Sequence, residues 1–183
     1  METVVSTNLP NPLHRGKVRD TYALGNGLLL MVATDRISAF DVVLPTAIPE
    51  KGVVLAQLSA FWFRQTQGII PNHLVGMAND PGTPGIALLD PLPPEIARRS
   101  MVVRQAQRID VECIARGYLT GSAWVEYQKW GTIHDQPMPK GLRDGDAFSE
   151  PIFTPTTKAE TGHDEPLSLS QLESQIGSEL ALQ

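Results

Sequence analysis

The order of elements legible in the 183-residue sequence predicts a mixed fold of the α+β class. Three observations carry this. Residues 16–34 read as a β-hairpin, and residues 52–67 read as an amphipathic helix. Two further strand-like runs, MVVRQAQRI and VECIA, precede a second helical segment, GSAWVEYQKW. The length suits one domain with room for a second, smaller lobe.

In the hairpin, KVRDTYAL is rich in strand formers, GNG supplies a turn, and LLLMVAT is apolar on both faces. Alternation along a strand would put Arg15, Lys17, Arg19 and Thr21 on one face, with Val18 and Tyr22 on the other. Three cations so placed repel one another unless an anion lies across them. In the helix, Val54, Leu55, Leu58, Phe61 and Trp62 recur at the spacing of one buried stripe. Pro71 ends that pattern. Residues 79–95, rich in proline and glycine, read as a surface crossing or hinge.

Beyond the two strand-like runs, Gly121-Ser122 opens the helix at 121–130, with Ser122 as its expected N-cap. Residues 131–167 have little periodicity and read as a long functional or disordered loop. The last segment, SLSQLESQIGSELALQ, restarts helical spacing. Leu172, Ile176 and Leu180 share a stripe with nothing left in the chain to cover it, and Ser170 with Glu173 has capping-box spacing.

Composition narrows the function classes. Fifteen Lys and Arg stand against twenty Asp and Glu, a net charge of −5, which disfavours a nucleic-acid-binding surface but permits a local basic pocket. The single cysteine, Cys113, excludes an internal disulfide framework and a multi-cysteine zinc site. There is no signal-peptide pattern and no apolar run near the roughly 20 residues that cross a bilayer. A cytoplasmic protein is expected. The acids crowd into the last third: residues 135–183 hold nine acids and three bases, so the basic positions concentrate in the part that carries the strands.

Four segments carry chemistry. In RGKVRD, Gly16 lets backbone approach a ligand and Lys17 can reach phosphate oxygens; the alternative is a solvated strand face. In ATDRISAFD, Asp35, Arg36 and Ser38 follow a strand, where open sheets place ligands. Arg36 offers a two-pronged donor to a phosphate, Ser38 a hydroxyl, and Asp35 and Asp41 can hold Arg36; the alternative is a turn capped by Asp35. In ARGYLTGSAW, Arg116 and Ser122 near a helix N-terminus suit a phosphate, against a surface arginine and an ordinary cap. In PIFTPTTKAETGHDE, polar groups including Lys158 and Glu160 crowd an irregular segment able to close over a charged substrate. His163 there has no second metal ligand at helical spacing.

In this order, RGKVRDTY, ATDRISAFDVVLPTAIPEKG, VECIARGYLTGSAW and EPIFTPTTKAETGHDE together resemble the SAICAR synthetase (phosphoribosylaminoimidazole-succinocarboxamide synthase) family. The resemblance runs from about residue 13 to about residue 170. It implies an architecture related to ATP-grasp and kinase-like folds, with an N-terminal antiparallel sheet lobe (1–104) that binds nucleotide. Residues 105–183 would begin the second lobe, which binds substrate and ATP. It implies an ATP-dependent carbon–nitrogen ligase that joins L-aspartate to a carboxyaminoimidazole ribonucleotide. ATP and Mg2+ are the implied cofactors, with no nucleic-acid or membrane partner.

Carried over by motif, Gly16, Lys17 and Arg19 would meet ATP phosphates, and the strand around Val103 and Arg104 would present backbone to adenine. Asp35, Arg36 and Ser38 would line the substrate region, Arg116 and Ser122 would hold the ribonucleotide, and Lys158 and Glu160 would belong to a loop ordering over substrate. No residue is assigned to the chemical step. Family members extend further, and their later part carries the acidic pair expected to hold magnesium. The sequence ending at Gln183 therefore reads as a fragment or truncated product, or as a chain whose remainder another chain supplies; in either case it is expected to ligate poorly or not at all alone. A nucleotide- or phosphosugar-binding remnant without ligase activity is the alternative.

Overall fold

The structure is a computed structural model that describes residues 3–40, 42–89, 91–158 and 164–182. Two compact units divide the chain, Met1–Ala106 and Gln107–Gln183.

The first unit is built on a five-stranded antiparallel sheet. Its strands are β1 (Pro12–Arg15), β2 (Arg19–Gly25) and β3 (Leu28–Ala33), with β6 (Leu74–Met77) and β7 (Ser100–Arg104) added later. The spatial order is β1-β2-β3-β7-β6. Between β3 and β6 come a two-residue hairpin, β4 (Ser38–Ala39) and β5 (Val42–Val43), and the helix α1 (Lys51–Thr66). The β2–β3 hairpin turns through Gly25, Asn26 and Gly27, all at positive φ, as the GNG signal demands.

The expected start of that hairpin is wrong. Residues 16–18 are not strand but a second turn, joining β1 to β2, closed by the Gly16 amide donating to the Arg19 carbonyl at 2.7 Å. Arg15, Lys17 and Arg19 therefore do not share a strand face: Arg15 ends one strand, Arg19 begins the next, and Lys17 sits in the turn.

Both sheet faces are covered, which is why LLLMVAT is apolar throughout. Leu30, Val32, Tyr22 and Val102 pack with Ile96 and Ala97 of the short helix α2 (Pro94–Ala97) and with Val4 and Leu9. On the other face Ala33, Met77, Met101 and Val103 meet Ala56 and Ala60 of α1.

That contact inverts the expected stripe on α1. Its buried residues are Gly52, Ala56 and Ala60, whereas Val54, Leu58, Phe61 and Trp62 are 49–59% exposed. Small side chains let the helix lie close to the sheet. A Cβ at Gly52 would overlap the Ala33 carbonyl oxygen and the Arg99 guanidinium. The proline-rich segment 79–95 crosses the surface as expected, linking β6 to β7, but it lies inside the first unit and is no hinge between units.

The second unit contains β8 (Val111–Glu112), β9 (Ala115–Tyr118), α3 (Gly121–Trp130), β10 (Thr132–Ile133), β11 (Gln136–Pro137), β12 (Ala147–Phe153), β13 (Thr156–Thr157), α4 (Leu169–Ile176) and α5 (Ser178–Ala181). All the pairings are antiparallel: β9 with β12, β8 with β13, and β10 with β11. Residues 131–157 thus carry four strands, β10 to β13, rather than one unbroken loop. Their periodicity is hidden because three of the four are two residues long, and the seven-residue β12 has no buried residue, only Phe148 and Ile152 packed against the core of Leu119, Ala123 and Ile133.

The C-terminal helix is also not continuous. Gly177 at φ 84° separates α4 from α5, and the capping box uses Ser168 with Gln171 rather than Ser170 with Glu173. Leu172 is buried, so the stripe is covered at that point; Leu180 is 39% exposed. Among the described residues no helix is long and apolar enough to cross a membrane.

Candidate functional site

In the first unit the RGKVRD and ATDRISAFD segments meet. Arg36 reaches across to the Gly16–Val18 turn. Its Nε donates to the Lys17 carbonyl (3.0 Å), and its Nη2 donates to the Gly16 carbonyl (2.9 Å) and to Asp20 Oδ1 (2.7 Å). Nη1 donates to the Val5 carbonyl at 2.6 Å. The Val18 carbonyl accepts from both the Thr34 amide (3.0 Å) and the Thr34 hydroxyl (2.9 Å). Every carbonyl of the turn is therefore held by residues 34–36.

This corrects the expected role of Arg36. Its donors are spent on the chain's own oxygens and its side chain is only 16% exposed, so it braces the turn instead of gripping a ligand phosphate. Its carboxylate partner is also different: Asp20, fully buried, with Oδ2 accepting from the Thr7 hydroxyl at 2.7 Å. Thr7 is in turn bonded to the Tyr22 hydroxyl. Asp41, the other expected holder, lies outside the described residues.

Asp35 is likewise interior. Oδ1 accepts from the Gly52 amide (2.9 Å) and Arg99 Nη1 (2.7 Å), and Oδ2 from the Val4 amide (2.8 Å). Burial alone would raise its pKa. The Arg99 hydrogen bond, the two amides and the Arg99 charge outweigh that and hold it below the ordinary 3.8. Asp35 ties β3, α1 and the N-terminal segment together. Ser38 is half-buried on β4, beside a hairpin tip where Phe40 is wholly exposed at φ 50°.

Around Arg19 the structure gathers groups the sequence did not single out. Among the described residues, Arg19 Nε is buried without a hydrogen-bond partner. Lys51, at the start of α1, and His73 both have lowered pKa values, first through burial and then through the Arg19 charge. Three basic groups near one another, one with an unmet donor, form a place where an anion would be stabilised. The signal was faint in the sequence because Lys51 and His73 lie 32 and 54 positions beyond Arg19.

Gly16 has its own local reason. A Cβ there would sit 3.1 Å from the Arg19 carbonyl oxygen, so the tight turn itself favours glycine. The backbone of Val103 and Arg104 is paired within the sheet. They end β7, an interior strand flanked by β3 and β6, and the Arg104 amide already donates to the His73 carbonyl at 2.8 Å. A cavity of about 640 Å³ in this unit, lined by Val4, Asn8, Glu50, Glu95 and Arg98, takes in none of the expected ligand-binding residues.

In the second unit Arg116 and Ser122 do come together. Arg116 leaves β9 with Nε donating to Thr154 Oγ1 (3.0 Å) and Nη2 to Ser122 Oγ (3.2 Å). Thr154 is buried and donates on to the Ile114 carbonyl. Thr120, not Ser122, holds the N-cap position of α3, with no side-chain cap bond, and the Ser122 hydroxyl accepts from Arg116. Arg116 and Ser122 thus stand at the positive end of a ten-residue helix. Ser122 also lines a cavity of about 690 Å³ with Thr156, Trp130, His134 and Asp164.

Lys158 follows β13, which anchors it beside β8. Its ammonium pairs with Glu112, and that hydrogen bond raises its pKa, opposed by burial and helped by the Glu112 and Asp164 charges. Glu160 and His163 lie outside the described residues. No group of three or more His, Cys, Asp or Glu side chains that could hold a metal ion is gathered among the described residues.

The SAICAR synthetase family model matches residues 12–182. The chain is 51% identical over 171 residues to the phosphoribosylaminoimidazole-succinocarboxamide synthase of Halorhodospira halophila, covering 92% of this chain and 56% of that one. It is 47% identical over 177 residues to the Saccharomyces cerevisiae enzyme of the same name, covering 91% and 56%. The fold agrees with a solved structure of SAICAR synthase from Saccharomyces cerevisiae complexed with SAICAR, at a TM-score of 0.79, 41% identity and 100% and 60% coverage. The chain thus spans a little over half the length of these relatives. A match this long, running through the braced turn in one unit and the Arg116–Ser122 pair in the other, makes the chain a member of the SAICAR synthetase family.

Proposed function

We propose that the chain provides nucleotide- and ribonucleotide-binding parts of an ATP-dependent carbon–nitrogen ligase of purine biosynthesis. The ligase joins L-aspartate to 5-amino-1-(5-phosphoribosyl)imidazole-4-carboxylate and releases ADP and phosphate. A carboxylate is a poor electrophile. One of its oxygens therefore bonds to the γ-phosphorus of ATP as the bond to the ADP oxygen breaks, giving an acyl phosphate. The aspartate amine then attacks the acyl carbon, phosphate leaves with the bonding pair, and the amine gives up a proton.

Every reactant is anionic, and like charges 4 Å apart repel by about 4 kcal/mol at an effective dielectric of 20. In this reading the first unit serves ATP, with Lys17 in the braced turn, Arg19 and Lys51 as the positive surroundings of its phosphates, and His73 beside them. The second unit serves the ribonucleotide, with Arg116 and Ser122 on its phosphate and Lys158 nearby in the chain fold. Magnesium would neutralise phosphate charge. The described residues gather no carboxylate cluster to hold it, and no step here is assigned to it. The compartment that fits a soluble-substrate ligase with one cysteine is the cytoplasm.

The observation that carries the reading is the Arg116–Ser122–Thr154 assembly at the head of α3, a donor set suited to a phosphate and present at the expected motif. Calorimetric titration tests it. ATP and the ribonucleotide should both bind. Lys17→Ala should weaken ATP at least about tenfold and leave the ribonucleotide within about twofold, and Arg116→Ala should do the reverse. Absence of both ligands from the titration, or an exchanged pattern of losses, would overturn the assignment.

A further inference from the structure

We propose that Arg36 is a positioning residue for the Gly16–Val18 turn, and that Lys17 acts on ATP phosphates only while Arg36 holds that turn. The proposal rests on the nucleotide reading above and extends it to a residue that touches no ligand.

A three-residue turn between two strands has few bonds of its own. Here the Gly16 amide, donating to the Arg19 carbonyl, closes it from within. Its carbonyls are held from outside. The Gly16 and Lys17 carbonyls are bound by Arg36, and the Val18 carbonyl by Thr34. Carbonyl oxygens are the negative ends of peptide dipoles and repel phosphate. Binding all three to segment 34–36 turns those negative ends inward. A planar guanidinium with a fixed fork of donors can bond several acceptors at set angles; an ammonium is a point charge and cannot.

Arg36 is itself fixed by the buried Asp20 carboxylate, which the Thr7 hydroxyl holds from the other side. The chain of support runs Thr7, Asp20, Arg36, turn. It is built from the N-terminal segment, β2 and the end of β3, so the turn is positioned by the sheet and not by local sequence.

Arg36→Lys is the informative variant, since it keeps a positive charge for Asp20 and loses the fork. Arg36→Ala serves as the severe comparison. Hydrogen exchange reads the brace without any ligand. In Arg36→Lys the Gly16 and Thr34 amides should exchange about tenfold faster or more, while the Val102 amide in the sheet centre keeps its rate. Calorimetry reads the coupling. Arg36→Lys should weaken ATP about tenfold, and adding it to Lys17→Ala should cost no more than about twofold further, because both act through one turn.

Unchanged exchange at Gly16 and Thr34, or full ATP affinity in Arg36→Lys, would overturn the brace. So would losses that simply multiply in the double variant, the pattern of a general structural role. Failure of the wild-type chain to bind ATP would overturn the nucleotide reading instead, and the exchange rates would still decide the brace.

Discussion

At the scale of single residues, buried charge decides what the motif residues do. Asp35 and Arg36 are adjacent in sequence, and both looked like ligand contacts. Their environments send both inward, Asp35 to Arg99 and two amides, Arg36 to Asp20 and three carbonyls. Sequence alone could not separate these outcomes, because the partners lie 16 and 64 residues away. Arg116 and Ser122 were legible because their partnership is local, six residues apart across the start of one helix.

The Asp35–Arg99 pair makes a stability prediction. Removing one side of a buried pair strands the other, at a cost of about 3 kcal/mol. Asp35→Asn should lose about that much in urea denaturation at neutral pH. The folded pKa of Asp35 is depressed, so its stabilisation is complete above the ordinary carboxylate value near 3.8 and fades as pH falls through the lower folded value. The gap between wild type and variant should therefore narrow below pH 4. A gap that widens in acid would contradict the assigned sign.

His73 makes a second test, by NMR titration of its imidazole. It should titrate below 6.5, because burial and then Arg19 disfavour its charged form. Arg19→Met should move it part of the way back, and no movement would remove Arg19 from its surroundings.

At the scale of elements, the ends of α1 and α3 were readable and the face of α1 was not. Apolar spacing locates a helix, but it does not say which side meets a sheet. Against a sheet already covered by Ala33, Met77, Met101 and Val103, the close-fitting side is the one with Gly52, Ala56 and Ala60. The large side chains then remain outside. Gly52→Ala should destabilise by about 1–3 kcal/mol, since its Cβ meets rigid backbone at Ala33. Trp62→Gln, on the exposed side, should shift stability by no more than about 0.5 kcal/mol. Thermal denaturation of the two variants separates the faces; a large loss from Trp62→Gln would restore the stripe read from the sequence. The strands of residues 131–157 escaped reading for a different reason: three are two residues long and offer no period to detect, and the seven-residue β12 part-buries only Phe148 and Ile152, four positions apart.

At the scale of the whole molecule, each unit carries its own core: two clusters, one on each face of the five-stranded sheet, within Met1–Ala106, and one around Leu119, Ala123 and Ile133 within Gln107–Gln183. Residues 105–109 between them form no helix or strand and are exposed. Proteolysis needs a stretch of backbone that can leave its hydrogen bonds and enter a protease cleft, and such stretches are exposed connectors with few bonds. Gln105 retains one bond, its amide to the Gly27 carbonyl at 2.7 Å, which protects the sheet side of the connector. A protease of broad specificity at low ratio should therefore cut first between Ala106 and Asp110, leaving two fragments that persist while cores on either side stay folded. The rival is segment 131–167, which the sequence alone reads as a loop and the structure fills with β10 to β13. Mass spectrometry of the first products decides between them. An initial cut inside 131–157 would mean that those short pairings open more readily than the connector, and that the unpatterned look of that segment in the sequence reflects its stability after all.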